Sequence, residues 1–417
     1  MMNFTELDQD TYYDFEQQHA QGSYTQLPEQ KEVLSQRGWS STYVGVTNEH
    51  GHVIAAALLN WKKLHFGYLF EVAGGPMMDY SNAQLVQVMT DGMTDFARHH
   101  RGLILRWLPN VVSREFDDKG TVVATLNQDA ITNLKAAGFE REPMHPGFST
   151  ITVGYQFVKK LAGITVDNVN ASYQKDAQYA LKKTKQFGIT LRQLGYDELP
   201  KFKQYTQATA DRLNFHDKSL AYYQETYKAY GDKVQFIFAE LNFDTYIKNQ
   251  QHSADELQQR VDQLDQQLEA KPNNKHLKGQ RRELADQISQ HDKRIKEAQG
   301  FKREDGQSTV LSGAMFFIQP QEVSYMFSFT NEEFKKFYAP YMVQDHMIHV
   351  ALDRHIPLYN FYGVSGMFDG SDGVLGFKQS FTGVTQEMVG TFTKPVRPFQ
   401  YKLYEWVKRL TGRHAQE

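Results

Sequence analysis

The chain has 417 residues, enough for two or three domains with sizeable cores. A net charge of −3 excludes a generally basic nucleic-acid coat, so contact with RNA or acidic lipid falls to local patches. The lack of cysteine excludes disulfides, thiolate metal sites and a cysteine nucleophile. No run approaches 18 uninterrupted apolar residues, so no membrane-spanning helix is expected. The N-terminus carries Glu6, Asp8 and Asp10 without the apolar stretch of a secretion signal, and the expectation is a soluble, cytoplasmic protein.

Strand-like and helix-like patterns alternate through the first 150 residues. Residues 41–46 and 52–60 read as strands joined by a polar turn that starts at Asn48. A further strand, 66–72, runs into the turn Gly74-Gly75-Pro76. Ser81 is the expected N-cap of a helix reaching about Arg98, with Leu85, Val88, Met89 and Met93 on one face. A short strand at 103–107 and a helix at 130–137, ended by Gly138, follow.

The second part repeats this grammar. A basic helix over 171–186 ends at Gly188 before a strand at 189–192. Helices at 197–212 and 220–229 lead to the strand 234–241. Then the pattern changes. Leu257, Val261, Leu264 and Leu268 fall at 4-3-4 spacing, a single stripe along a helix. Lys271-Pro272-Asn273-Asn274 breaks the pattern, and Leu277, Leu284, Ile288 and Ile295 resume it. This is the signature of an antiparallel helical arm. Gly279 weakens the start of its second helix, which is expected to become regular only after that residue. Strands at 308–318 and 322–328, a helix at 341–352, a strand at 357–361 and an amphipathic helix from Pro398 complete the chain.

Charge divides unevenly along the arm. Residues 247–270 carry a net −3 and residues 275–299 a net +3. Opposite signs on paired helices predict interhelical salt bridges, while the surplus basic clusters at 278–282 and 293–296 are also suited to phosphate.

Several segments, in this order, resemble the Fem aminoacyltransferases of Gram-positive bacteria. Gly74-Gly75-Pro76-Met77-Met78-Asp79 is similar to that family's Gly-Pro-(apolar)2-Asp turn, and Lys182 to Gly188 to its basic helix before a glycine. Tyr338-Ala339-Pro340-Tyr341, Tyr359 to Gly363, and Gly376-Phe377-Lys378 extend the resemblance along nearly the whole chain. It implies an α+β fold of two GNAT-like subdomains with an inserted antiparallel coiled-coil arm. The boundaries are then 1–155 for the first subdomain, 156–245 with 301–396 for the second, 246–300 for the arm and 397–417 for a C-terminal helix.

The resemblance also implies an activity. It is the transfer of an amino acid from aminoacyl-tRNA to the stem-peptide amine of lipid II, or of its UDP-MurNAc-pentapeptide precursor, to build the peptidoglycan interpeptide bridge. No cofactor is called for. Lys378 matches the family lysine implicated in stabilising the transition state, and Phe377 the aromatic that shapes the site. Lys218, four residues before Tyr222, matches the family arginine that contacts the precursor's diphosphate, although a lysine offers a point charge in place of a bidentate fork. Lys31 lies near a second family lysine, Arg106 matches the family's Leu-Arg-aromatic strand end, and Gly75 and Tyr338 fall in motifs attributed to the substrate site. Two positions after Arg106, where the family has a carboxylate once proposed as general base, this chain has Leu108. That departure favours proximity and oxyanion stabilisation over acid–base catalysis. On the arm, Lys278, Arg281, Arg282, Lys293, Arg294 and Lys296 are the expected tRNA contacts. The aromatic, basic segment after Pro398 could lie on the membrane surface, although packing against the core is the commoner role.

Two other functions fit parts of the pattern. One is a GNAT-type N-acyltransferase using acyl-CoA, although the Gly-rich acyl-CoA signature is absent from the sequence. The other is a non-catalytic coiled-coil protein that binds RNA or a partner. The sequence reveals neither the donated amino acid nor a general base.

Overall fold

A computed structural model describes residues 1–147 and 153–411, without the side chains of residue 305 and of residues 408–411. Two mixed sheets carry the fold. The first runs, in spatial order, through strands Asn3–Glu6, Ser40–Thr47, Val53–Leu64, Gly67–Ala73, Gly102–Leu108, Phe392–Pro395 and Glu140–Arg141. The second runs through Thr190–Gln193, Val234–Asn242, Ser308–Ile318, Val323–Thr330, Leu358–Val364, Tyr155–Lys160, Val384–Met388, Val112–Phe116 and Val122–Thr125.

The two sheets share a plan. Strands 40–47, 53–64 and 67–73 form an antiparallel meander, and a crossover containing helix Ala83–His99 returns to the parallel strand 102–108. Strands 234–242, 308–318 and 323–330 repeat the meander, and helix Ala339–Asp353 returns to the parallel strand 358–364. A parallel neighbour requires such a crossover, and a helix that buries one face on the sheet is the usual solution. The first meander turns between its first two strands within residues 48–52, closed by the Asn48 N–H donating to the His52 carbonyl. At the equivalent point of the second, the chain instead leaves as helix Phe243–Ala270 and comes back as helix Lys275–Asp305. The arm therefore grows out of a hairpin turn, and the two strands it connects stay paired up to its base, where Asn242 faces Ser308.

Each arm helix, at about 1.5 Å per residue, is roughly 40 Å long. Val261, Leu284 and Ile295 are buried between the helices, and the remaining stripe residues are half-buried. Asp265 with Arg281 near the tip, Gln250 with His291, and Asp244 with Lys302 at the base pair in antiparallel order. Gly279 does not delay the second helix. It is regular from Lys275, because the Asn274 side chain accepts from the N–H groups of His276 and Leu277.

Other boundaries differ from expectation for local reasons. The N-cap of helix 83–99 is Asn82, whose Oδ1 accepts from Leu85 N–H at 3.0 Å, while the Ser81 hydroxyl bonds to Asp79. The segment around Phe377 and Lys378 is a short helix, Gly373–Gln379, capped by Asp372. Strands 112–116 and 122–125 join the second sheet, and strand 392–395 joins the first. Each half of the chain thus lends pieces to the other's sheet. Leu27 and Val33 pack among Phe202, Tyr223, Tyr230 and Phe236, a third core between the halves.

Candidate active site

Lys378 lies in the last turn of helix 373–379 and is 3 % exposed. Two contacts of Asp372 fix that helix. Its Oδ1 accepts from Val374 and Leu375 N–H at 2.9 and 3.0 Å, and its Oδ2 accepts from Ser365 N–H, just beyond strand 358–364. The Lys378 Nζ donates to the carbonyls of Gly363 at 2.6 Å and Tyr362 at 3.3 Å, and stands 5.9 Å from the Tyr325 ring centre. Burial lowers its pKa to about 7, opposed by the Asp372 charge. Near neutrality this amine is therefore poised between a buried cation and a neutral base.

On one side of Lys378 the site runs toward two more cations. A bulge in the strand between Tyr325 and Ser328 breaks its alternation, so Tyr325 packs on Phe316 at one face while Phe327 meets Tyr222 and Tyr223 at the other. The connection runs instead through Tyr362, whose carbonyl receives Lys378 and whose hydroxyl meets Tyr24. Lys218 stands 5.8 Å from the Phe327 ring and 5.5 Å from that of Tyr222, and the Arg37 guanidinium lies over Tyr222 at 4.3 Å. Desolvation first, and then the neighbouring Arg37 charge, lowers the Lys218 pKa. Lys218 is exposed and Arg37 half-buried, and the nearby Asp217 charge opposes the shift; two cations set this close suit an anion between them. The Arg37 Nη2 is buried without a hydrogen bond to any described residue, while the Arg37 Nε stands 3.9 Å from Glu225 Oε2. Sequence reasoning missed Arg37. Its only signal was a cation in a polar loop ahead of Trp39.

Tyr24 bridges the two ends. Its hydroxyl meets that of Tyr362 at 3.2 Å, and its ring stacks on Phe317 at 4.2 Å. Gly74 and Gly75 make room for the loop that carries it. Gly74 has φ +73°, and a Cβ there would collide with Ser23 and Thr25, while a Cβ on Gly75 would press on Gln26 at 3.1 Å. Thr25 and Gln26 both donate to the Ala73 carbonyl. Gly75 thus acts on the site by letting the Tyr24 loop lie against the turn.

On the other side, Phe377 leads to a different surface. It meets Tyr341 at 4.9 Å, Tyr341 meets Tyr338 at 6.4 Å, and Tyr338 meets the exposed Tyr179 at 6.0 Å. Tyr179 lines an open groove of about 710 Å³ with Lys175, Lys182 and Lys185 of helix Lys175–Phe187. The pKa of Lys183, on the same helix, is lowered by burial and then by the Arg294 charge, which places the base of the arm beside this groove.

The structure brings Lys378, Phe377, Tyr338, Lys218 and Tyr222 into one connected region and leaves two predicted residues outside it. Lys31 stands over the Tyr43 ring at 4.7 Å, and Arg106 forms a half-buried ion pair with Glu71 at 2.7 Å. On the arm, Lys278, Arg282, Lys293 and Lys296 are exposed, and Arg281 is held by Asp265 at 2.5 Å. Among the described residues no group of acids and histidines could hold a metal ion, and no helix is long and apolar enough to cross a membrane.

Comparison with known proteins shows the family. Aminoacyltransferase FemA of Staphylococcus epidermidis is 30 % identical over 98 % of this chain and all of its own length. FemA of Staphylococcus aureus is 30 % identical over 99 % of this chain and all of its own length. The crystal structure of FemX superposes with a TM-score of 0.77 at 20 % identity, covering 96 % of this chain and 99 % of its own, and so shares the two-sheet α+β fold. A family model described as the FemAB family matches residues 7–409. The chain belongs to the FemAB family and is an acyltransferase.

Proposed function

We propose that the protein transfers an amino acid from aminoacyl-tRNA to a stem-peptide amine of lipid II, or of its UDP-linked precursor, extending the peptidoglycan interpeptide bridge. One observation carries this reading: the buried Lys378 stands between two cation-lined approaches of different character. The Lys218–Arg37 approach is compact and aromatic, with Arg37 half-buried, and suits a diphosphate. The Lys175–Lys182–Lys185 groove is open and continues toward the arm, and suits the extended phosphates of a nucleic-acid acceptor end. The two substrates then meet at helix 373–379.

Aminoacyl transfer asks little else of the protein. The neutral acceptor amine attacks the ester carbonyl, a C–N bond forms, and charge gathers on the carbonyl oxygen. The bond to the ribose oxygen breaks, and the proton lost by the amine ends on that oxygen. The Lys378 ammonium, in a site of low dielectric, stabilises the oxyanion. Leu108 offers no base at the family's former candidate position, so proximity of the two substrates carries the rest. Phe399, Leu403 and Trp406 form an exposed apolar stripe on the terminal helix beside Lys402, which supports peripheral contact with a membrane presenting the lipid-linked acceptor.

The test is direct. Purified protein, incubated with lipid II and a mixture of charged tRNAs, is expected to add the mass of one amino acid to lipid II. Saturable acyl-CoA binding with no transfer from any charged tRNA would overturn the reading.

A further inference from the structure

The second sheet contains a polar ladder that the transfer chemistry does not use directly. Five buried side chains, none more than 7 % exposed, sit on or beside five strands adjacent in the sheet: Glu322, Asn360, Gln156, Gln386 and Glu115. Asn360 Nδ2 donates to Glu322 Oε2 at 2.9 Å and to Gln156 Oε1 at 3.1 Å. Gln156 Nε2 donates to Gln386 Oε1 at 3.0 Å, and Gln386 Nε2 to Glu115 Oε1 at 2.9 Å. Lys160 closes the far end on Glu115 Oε2 at 2.8 Å, and Ser324 donates to Glu322 Oε1 at 2.5 Å. Burying five polar side chains is costly unless each is satisfied, and a satisfied network fixes its members in one arrangement.

What it fixes is next to Lys378. The Asn360 Oδ1 accepts from the Tyr362 N–H at 2.8 Å. At this point the strand bulges: Gln156 faces Gly363 and Val158 faces Asn360, so Phe361 and Tyr362 together oppose Phe157. Tyr362 has φ +62°, a conformation that a bulky residue adopts only when held. Its carbonyl and the next one receive the Lys378 Nζ, and its hydroxyl meets Tyr24. Removing Asn360 frees the residue that both clamps the lysine and faces the anion approach.

We propose that Asn360 is a positioning residue of the transfer site, holding Tyr362 in its bulged, left-handed conformation so that the carbonyls of residues 362 and 363 clamp the Lys378 amine. This rests on the reading of Lys378 as the transfer-site lysine. Asn360→Ala is expected to lower kcat by about 10- to 100-fold with both KM values within about threefold, the scale of a small misplacement of a reacting group. Glycine adopts positive φ without strain, so the same substitution in a Tyr362→Gly background is expected to cost no more than about threefold. Equal losses in the two backgrounds would overturn the proposal.

If Asn360→Ala does not fold, the exchanged pair Glu322→Gln with Asn360→Asp decides. It keeps an acceptor for the Tyr362 N–H and a hydrogen bond between positions 322 and 360, and gives up only the donation from position 360 to Gln156. A kcat within about threefold of the parent supports the clamp, and a loss as large as that of Lys378→Met overturns it. A second readout needs no substrate. Acetylation of Lys378 by acetic anhydride, followed by mass spectrometry, is expected to run about fivefold faster once the amine is unclamped. An unchanged rate in a folded Asn360→Ala overturns the clamp. A parent protein whose Lys378 labels slowly, and faster on unclamping, but which transfers no amino acid overturns the proposed function and leaves the clamp standing.

Discussion

The arm and the buried site around Lys378 both carry positive charge, by opposite means. Lys278, Arg282, Lys293 and Lys296 stand in water along a helix, screened beyond a Debye length of about 8 Å. Lys378 is buried among tyrosines, its charge conditional on pH and its field little screened. Exposed charges of this kind are many, weak and interchangeable, while the buried one is single and depends on its exact neighbours. The sharpest way to break the comparison is to remove the buried charge. Lys378→Met is expected to lower kcat by about 10²- to 10³-fold, the range for losing a donor to a developing oxyanion, as measured in single-turnover assays. Across pH, the parent's kcat is expected to lose its ammonium-dependent part as pH rises through about 7, a break that Lys378→Arg removes. The stability sign is opposite. The folded pKa lies below the unfolded value of 10.5, so between pH 7 and that value the unfolded chain binds more protons. Denaturation of the parent relative to Lys378→Met should therefore show stability rising over that window and lost as pH falls through about 7.

The same contrast explains what could be read from the sequence. The arm was legible because its periodicity is local: Leu257, Val261, Leu284 and Ile295 announce the packed face without knowledge of the body. The crossover helix 83–99 was legible for the same reason, to within one residue at its cap. Lys378 was reached by resemblance alone. Its local context, Gly-Phe-Lys, gave no sign of burial, because the carbonyls that receive it lie on strand 358–364, beyond the reach of local periodicity, and the ring of Tyr325 comes from a further strand. Arg37 was missed because its meaning depends on Tyr222 and Lys218, nearly 200 residues on. Strands 112–116, 155–160 and 384–388 were not anticipated, since each buries a polar residue, Glu115, Gln156 or Gln386, among its apolar ones. A polar ladder erases the alternation by which a half-buried strand is recognised.

A smaller effect is expected at the anion approach, where two cations share one task. Arg37→Gln and Lys218→Gln should each raise the acceptor's KM by about tenfold, the scale of one charge-assisted hydrogen bond, with kcat within about twofold. The two are not equivalent. Arg37 has an unused planar donor and Lys218 only a point charge, so Arg37→Lys should cost more than Lys218→Arg. Steady-state kinetics with the acceptor varied checks both statements. A change confined to the KM for charged tRNA would assign this approach to the donor and reverse the proposed order of the two sides.

The smallest effects belong to the arm, and they separate its two kinds of cation. Arg281 already spends its charge on Asp265, so Arg281→Gln should leave the KM for charged tRNA within about twofold. Neutralising Lys278, Arg282, Lys293 and Lys296 together should raise that KM by about three- to tenfold at low salt and leave kcat on saturating tRNA unchanged. The mechanism is checkable in the same experiment. Each phosphate contact contributes roughly 0.7 to 0.9 to the slope of log affinity against log salt, so the fourfold variant should show a shallower slope, and one that converges with the parent as salt rises. A KM shift without a change in slope means that the substitutions act through the arm's packing. An unchanged KM leaves the arm without an electrostatic role, and the basic groove beside Tyr179 then carries donor binding alone. Lys183 and Arg294 meet where the groove ends and the arm begins, so charge removed at that junction should cost more per residue than charge removed near Lys278 at the tip.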